Sequence, residues 1–211
     1  MGVSQKLFIA CCNSQDFVPS AFHWSWERME KPLNYRKERF MHSYGVIRCN
    51  QAIEMFLGSD CDVFTFMDID QKYPVDYLTV MFPLAYRYKV IGPLIYDKWR
   101  SHNFRPLMFD TNLYPHVTPP SGRADTGIVE KRYAHNNMFY AREVLEKISP
   151  PWYEFNLNEK GTNRKESQDF SFNEKVRKAG YKIYVNTDMV VQHLVMISVD
   201  TRLHDLWNKV E

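Results

Sequence analysis

Several things are scarce in this chain of 211 residues, and each scarcity removes a class of protein. Charge of one sign is the first: 27 basic residues against 25 acidic ones leave a formal net charge of +2, and no Lys/Arg run forms a basic block. That excludes the electrostatic footprint of a nucleic-acid-binding protein. Long apolar runs are absent as well, with no window near the roughly 18 apolar residues of a membrane span. The start, Met1 to Lys6, leads into a short strand rather than a signal-peptide core. Gly2 superficially suits myristoylation, but that motif needs Ser or Thr at the sixth position and Lys6 stands there. Only four cysteines occur, at 11, 12, 49 and 61, and no pair has the spacing of a zinc knuckle. They read as free thiols in a reducing compartment, with Cys11 and Cys12 inside an apolar run. Repeats, low-complexity tracts and linkers are missing too. The expectation is one soluble, cytoplasmic domain (host cytoplasm if viral), without a membrane span and without nucleic acid as partner.

What is present is an ordinary globular mix, 45% hydrophobic and 25% charged, in a chain long enough to bury a substantial core. Aromatics reach 15%, a surplus that often lines clefts for bases and sugars. The first half alternates strand and helix. Lys6 to Cys12 is a short apolar strand that breaks at Asn13, and Arg48 to Leu57 is a helix ending at Gly58. Val63 to Met67 is a buried strand. A helix after Pro74 turns Val75, Leu78, Val80, Met81 and Leu84 inward, and Lys89 to Tyr96 is a further buried strand. The stretch from about 97 to 131 holds scattered Pro, Gly and aromatic residues without a sustained period, which predicts a functional loop or lid. Asn137 to Tyr140 reads as a strand, Ala141 to Ile148 as a helix stopped by Pro150-Pro151, and Glu166 to Ala179 as a helix ending at Gly180. A strand pair, Tyr181 to Val185 and Met189 to Val191, leads to His193, and a charged helix is expected from about Thr201 to Glu211. Strands alternating with helices predict an α/β fold, with a mixed, mostly parallel central sheet flanked by helices.

The chemistry concentrates where apolar strands end. Val63-Phe64-Thr65-Phe66-Met67 runs into Asp68-Ile69-Asp70, and alternation puts both carboxylates on one face of the strand's end. Two hard oxygen donors there suit Mg²⁺ or Mn²⁺; equally, they suit a cap on the following turn. Parallel sheets place ligands outside the carboxyl ends of their strands. Asn13 and His193 lie at two other such ends, and neutral imidazole is a common third metal ligand. Asp169 falls in the first turn of the late helix, where the macrodipole favours a carboxylate. It is either a helix cap or a general base for a hydroxyl acceptor.

In this order, the residues resemble the nucleotide-sugar glycosyltransferases of the GT-A fold. Phe64 to Asp70 with trailing Pro74 is similar to that fold's Asp-x-Asp strand. Gln168-Asp169 through Phe172, Arg177, Ala179 to Val185 and on to His193 is similar to the acidic pair, helix, Gly-Tyr-Lys-Ile-Tyr strand and terminal His. Cys49 to Ile53 resembles an Arg-Asn-x-Ala-Ile helix start, and Met138 to Lys147 resembles the sugar-side strand and helix. The resemblance covers most of the chain as a single domain, with a nucleotide-binding half over about 1–96 and a loop and acceptor half over about 97–211. It also allows this to be the first domain of a longer polypeptide. It implies that Asp70, with Asp68 and His193, holds Mn²⁺ or Mg²⁺ against the diphosphate of a donor, foremost a UDP-sugar. Cys12 and Asn13 would border base and ribose, with Arg48 nearby and Asp68 by the diphosphate. His135 and Asn136 would lie beside the donor sugar. Asp169 would take the proton of a carbohydrate acceptor hydroxyl, giving inversion. Three positions depart from the pattern: Gln168 stands where Glu is usual, Asn136 replaces a small residue, and Cys49 takes the place of the helix Arg. In the loop, Trp99, Arg100, His102, Phe104, Tyr114 and His116 either pack on an acceptor sugar or close over the donor, or equally pin a long loop to the surface. No exposed apolar heptad is evident, which favours a monomer.

Two other classes fit less of the chain. A nucleotidyltransferase or metal-dependent phosphohydrolase would use the same carboxylates. The first of these usually carries a Gly-rich basic loop where this chain has Cys12-Asn13-Ser14-Gln15-Asp16. A non-catalytic carbohydrate-binding module accounts for the aromatics but not for Asp68, Asp70, His193 and Asp169 together.

Overall fold

The computed structural model describes residues 5–13, 18–41, 44–96, 106–109, 128–131, 133–162 and 165–194. The first half runs β1 (Leu7–Asn13), α1 (Ser20–Arg28), β2 (Tyr35–Met41), α2 (Gly45–Leu57) and β3 (Val63–Asp68). It continues with β4 (Gln71–Lys72), α3 (Tyr77–Tyr88) and β5 (Val90–Ile95). Then come β6 (Met108–Phe109), β7 (Ile128–Lys131), β8 (Tyr133–Ala134), β9 (Phe139–Ala141), α4 (Arg142–Lys147), α5 (Gln168–Lys178) and β10 (Ile183–His193).

The main sheet has the order β2-β1-β3-β9-β5-β10-β4, with β7 on β10, and β6 pairs with β8 apart from it. β1 runs parallel to β2 and β3, and β5 parallel to β10. β9 is antiparallel to both β3 and β5 and closes the gap between the two parallel groups. The mixed α/β sheet is therefore as expected. Strand alternation sends side chains into two separate cores. Phe8, Phe64, Phe66 and Tyr140 face α2, α4 and α5, where Ile53, Phe56, Leu145 and Phe172 close over them. Leu7, Ile9, Met67 and Phe139 face α1 and α3, meeting Phe22, Tyr77, Leu78 and Met81.

Several local expectations are corrected. α1 and β2 carried no legible signal: β2 is a charged edge strand with only Phe40 buried, and α1 buries only Phe22 and Ser25. In α3, Leu78 and Met81 are buried as expected, but Val75 precedes the helix and is 51% exposed. Val80 and Leu84 are half-buried, and Tyr77, Phe82 and Ala85 complete the inner face. The stretch expected to lack regular structure contributes β7, which pairs with β10. Trp99, Arg100, His102, Phe104, Tyr114, His116 and the expected helix after Thr201 lie outside the described residues.

The expected strand pair before His193 is one continuous strand, β10, with an irregularity inside it. Asn186 pairs with Pro93 and Val190 with Leu94, so residues 187–189 have no counterpart in β5. Asn186 supports this bulge by accepting the Asp188 N–H at 3.1 Å. An odd number of inserted residues inverts the alternation. Ile183 and Val185 accordingly face the α2/α5 core, whereas Met189 and Val191 face the α3 core.

Arg142 ties the two halves together at the end of α2. Its guanidinium donates to the carbonyls of Phe56 at 3.0 Å, Leu57 at 3.2 Å, Ser59 at 2.7 Å and Cys61 at 2.8 Å. Phe56 and Leu57 lie in the last turn of α2, where carbonyls outrun intrahelical donors, and Ser59 and Cys61 lie in the connection to β3. The same head lies 4.7 Å from the centre of the Phe56 ring.

Candidate functional site

β3 ends at Asp68, so the two carboxylates do not share a strand face: Asp70 sits in the turn that follows. Asp68 pairs with Cys12 across the β1–β3 ladder, at the carboxyl edge of the sheet. Asp70 is carried toward β10, where Gln71 pairs with His193 and Leu194 N–H donates to Asp70 O at 2.8 Å.

His193 and Asp70 meet across this ladder. A ring nitrogen, Nδ1, lies 2.8 Å from Tyr96 O, and since a carbonyl only accepts, Nδ1 carries the proton. In the neutral ring Nε2 is then the lone-pair nitrogen, and it lies 3.9 Å from Asp70 Oδ2. An imidazole fixed through one nitrogen and presenting the other is the usual preparation of a metal-ligating His. Among the described residues no three His, Cys, Asp or Glu side chains form a metal-binding group, so Asp70 and His193 are a two-residue corner and Asp68 is not gathered with them. Such a corner offers one carboxylate oxygen and one imidazole nitrogen, a donor pair for a divalent cation that completes its shell with phosphate and water.

The segment before β9 is more rigid than a loop position suggests. His135 Nε2 bonds Pro93 O at 2.9 Å, and Nδ1 accepts the Asn137 N–H at 2.9 Å. Both ring nitrogens are committed inside the protein, and burial holds the imidazole neutral, its pKa lowered to about 4. His135 therefore shapes this segment and offers no ring nitrogen to a ligand. Asn136 turns instead toward α2: Tyr153 Oη donates to its Oδ1 at 2.5 Å, and its Nδ2 lies 3.9 Å from Cys49 Sγ. Asn137 is fully buried, with Nδ2 donating to Gln71 Oε1 and, at 2.7 Å, to Tyr73 Oη.

A second cluster forms where α2 and α5 converge. The Cys49 thiol contacts that of Cys12, and this hydrogen bond, with burial, raises the Cys49 pKa well above the ordinary thiol range. Asp169 and Asp68 both lie close enough to add to that effect. Asp169 follows the first residue of α5, whose N-cap Ser167 accepts the Phe170 N–H at 3.1 Å. The capping role therefore belongs to Ser167, and Asp169 Oδ1 is shielded from solvent in the cluster. Gln168 reaches the start of α2, its side-chain amide packing against Gly45. Arg48, half-buried, precedes Cys49 on α2, and Asn13 is the last residue of β1.

Tyr153 is the residue that sequence reasoning missed. It stacks on Phe172 with centroids 4.5 Å apart, and Asn50 clamps its backbone with bonds of 2.8 and 3.0 Å. Its only signal was an aromatic following Pro150-Pro151. Tyr73 and Gln71 were equally silent, although they directly follow Asp70. The structure thus brings Cys12, Cys49, Asn136, Tyr153, Asp68 and Asp169 to one side of the sheet edge, and Asp70 with His193 to the other.

No family model and no curated protein sequence matches the chain. Solved structures do. A197 from STIV superposes with a TM-score of 0.60 at 17% identity, covering 91% of this chain and 86% of that one. S. aureus TarS 1-349 gives 0.55 at 11% identity, and its complex with UDP-GlcNAc gives 0.57 at 13%. These cover 90% and 92% of this chain, which spans 60% of the TarS chain in each case. Among the described residues no helix is long and apolar enough to cross a membrane. The strand order, the two flanking helical layers and these superpositions identify a GT-A-like fold.

Proposed function

We propose that this chain is a glycosyltransferase that moves a hexose from a nucleoside-diphosphate sugar, foremost a UDP-sugar, to a hydroxyl of a glycan acceptor. The observation that carries the reading is the Asp70–His193 corner at the carboxyl edge of a GT-A-like sheet, with Nε2 presented and 3.9 Å from Oδ2. A fold neighbour crystallised with UDP-GlcNAc supports the donor class.

Asp70 and His193 would hold a Mn²⁺ or Mg²⁺ ion, which when bound would supply Lewis-acid stabilisation of the departing diphosphate. Cys12, Asn13 and Arg48 border base and ribose, and Asp68, opposite Cys12, borders the ribose and diphosphate. Asn136, oriented by Tyr153, faces the donor sugar, and His135 keeps its segment in shape. Asp169 accepts the acceptor's hydroxyl proton as that oxygen attacks the anomeric carbon, inverting it. The enzyme works as a cytoplasmic monomer.

Calorimetric titration with UDP, GDP and CMP, each with and without Mn²⁺, tests the reading. Binding of one nucleotide that requires Mn²⁺ and disappears in Asp70→Ala supports it; no nucleotide binding with metal present ends it.

A further inference from the structure

The turn that carries Asp70 is braced from beneath by a residue 67 positions away in the chain. Asn137 is 0% exposed, and its single amide nitrogen donates to Gln71 Oε1 and to Tyr73 Oη at 2.7 Å. Tyr73, 4% exposed, donates its hydroxyl in turn to Asp68 O at 3.1 Å. Gln71, 3% exposed, is the β4 residue paired with His193. One buried amide therefore grips both ends of the turn: the carbonyl of Asp68 before it, and the residue joining Asp70 to the His193 strand after it. Asn137 is itself pinned, because its N–H donates to His135 Nδ1 at 2.9 Å and His135 is anchored on Pro93 O. An apolar residue here would avoid the cost of burying an amide. A connected polar network instead specifies one arrangement of the groups it joins.

We infer that Asn137, acting through Tyr73 and Gln71, is a positioning residue for the Asp68–Asp70 turn, so that the sugar-side segment 135–137 and the diphosphate-facing carboxylate adopt their arrangement as one unit. This rests on the nucleotide-sugar reading. Neither Asn137 nor Tyr73 reaches a ligand; their effect is transmitted through the backbone that sets Asp70 opposite His193.

Tyr73→Phe is the cleanest test, since it keeps the ring that packs against Tyr77 and Phe22 and removes only the hydroxyl linking Asn137 to Asp68. Calorimetry measures the Mn²⁺ concentration that half-restores binding at fixed UDP, and the UDP affinity at saturating Mn²⁺. The expected result is a half-restoring Mn²⁺ concentration raised roughly tenfold, in the range for groups that orient metal ligands. UDP affinity at saturating Mn²⁺ returns to within about threefold, and the thermal midpoint stays within a few degrees. Asn137→Ala, where it folds, shows the same metal-specific shift; where it does not, Tyr73→Phe decides alone. A residue that merely fills space would lower the thermal midpoint and leave the metal dependence where it was. An unchanged Mn²⁺ requirement in Tyr73→Phe, with normal wild-type binding, overturns this inference and leaves the function standing. A wild type without Mn²⁺-dependent UDP binding removes both.

Discussion

His193 and Asp70 face each other with Nε2 and Oδ2 3.9 Å apart, and the imidazole is locked in that orientation by its Nδ1–H bond to Tyr96 O. Both side chains are partly exposed at the sheet edge, so replacing them leaves the two cores intact. Asp70→Asn and His193→Ala should each weaken Mn²⁺-dependent UDP binding by more than about tenfold, the lower end for losing a group that merely supports a ligand. The thermal midpoint should move by no more than a few degrees. Wild-type affinity in either variant, by calorimetry with Mn²⁺ present, rules that residue out as a ligand.

Asp169 makes a separable prediction. As general base it acts in the transition state, so Asp169→Asn should lower kcat by about 10²–10⁴ while the KM for donor changes little. Steady-state kinetics against donor concentration decide it. A KM increase at constant kcat would return Asp169 to a binding role.

His135 predicts how stability depends on pH. Its folded pKa is depressed to about 4, below the ordinary value of 6.5, so between these values the unfolded chain binds the extra proton. Stability is then full above about pH 6.5 and is lost as pH falls toward 4. Between pH 7 and pH 5 this one residue should account for about 2 kcal/mol. Urea unfolding at the two pH values measures the loss, and His135→Gln should shrink it. An identical acid limb in that variant contradicts the assignment.

Arg142 should be among the costliest exchanges outside the site. Arg142→Ala leaves four carbonyls near the end of α2 without their charged donor and removes the contact with Phe56. Net contributions of about 1 kcal/mol for each such bond predict a loss of about 4 kcal/mol. Arg142→Lys should recover less than half, because an ammonium lacks the planar fork. Chemical denaturation would show it, and a loss under about 1 kcal/mol would mean that water satisfies those carbonyls equally well.

Gly92 predicts a close-packing effect. A Cβ there would overlap Met138 Sδ, where β5 passes the start of β9. Gly92→Ala should destabilise by about 1–3 kcal/mol, the usual cost of overpacking. In a Met138→Ala background Gly92→Ala should cost less than it does in the wild type, read as the coupling in a double-mutant denaturation cycle.

The apolar strands β1, β3 and β5, the helices α4 and α5 and the mixed α/β class were legible in the sequence, because buried strands and amphipathic helices write their burial as local composition. β2 was not, since an edge strand packs against one neighbour only and its charged residues carry no burial pattern. The candidate site divides in the same way. Asp68, Asp70, Asp169 and His193 announced themselves as polar residues at the ends of apolar runs. The contacts that hold the site in place did not, because Asn137, Tyr153 and Tyr96 act across separations that no local pattern encodes.

By itself, then, the sequence determined which strands are buried, where they end, and which chemically capable residues stand at those ends. The tertiary structure decided which of those residues meet. The two carboxylates, one residue apart in sequence, part because β3 stops at Asp68 and the chain turns, sending Asp70 to β10. His193 lies on the matching face because residues 187–189 are inserted opposite β5 and invert the alternation of β10 before the strand reaches the site. An inversion of that kind depends on pairing with a strand about 95 residues earlier, and side-chain alternation fixes a face only once the partner and its register are set.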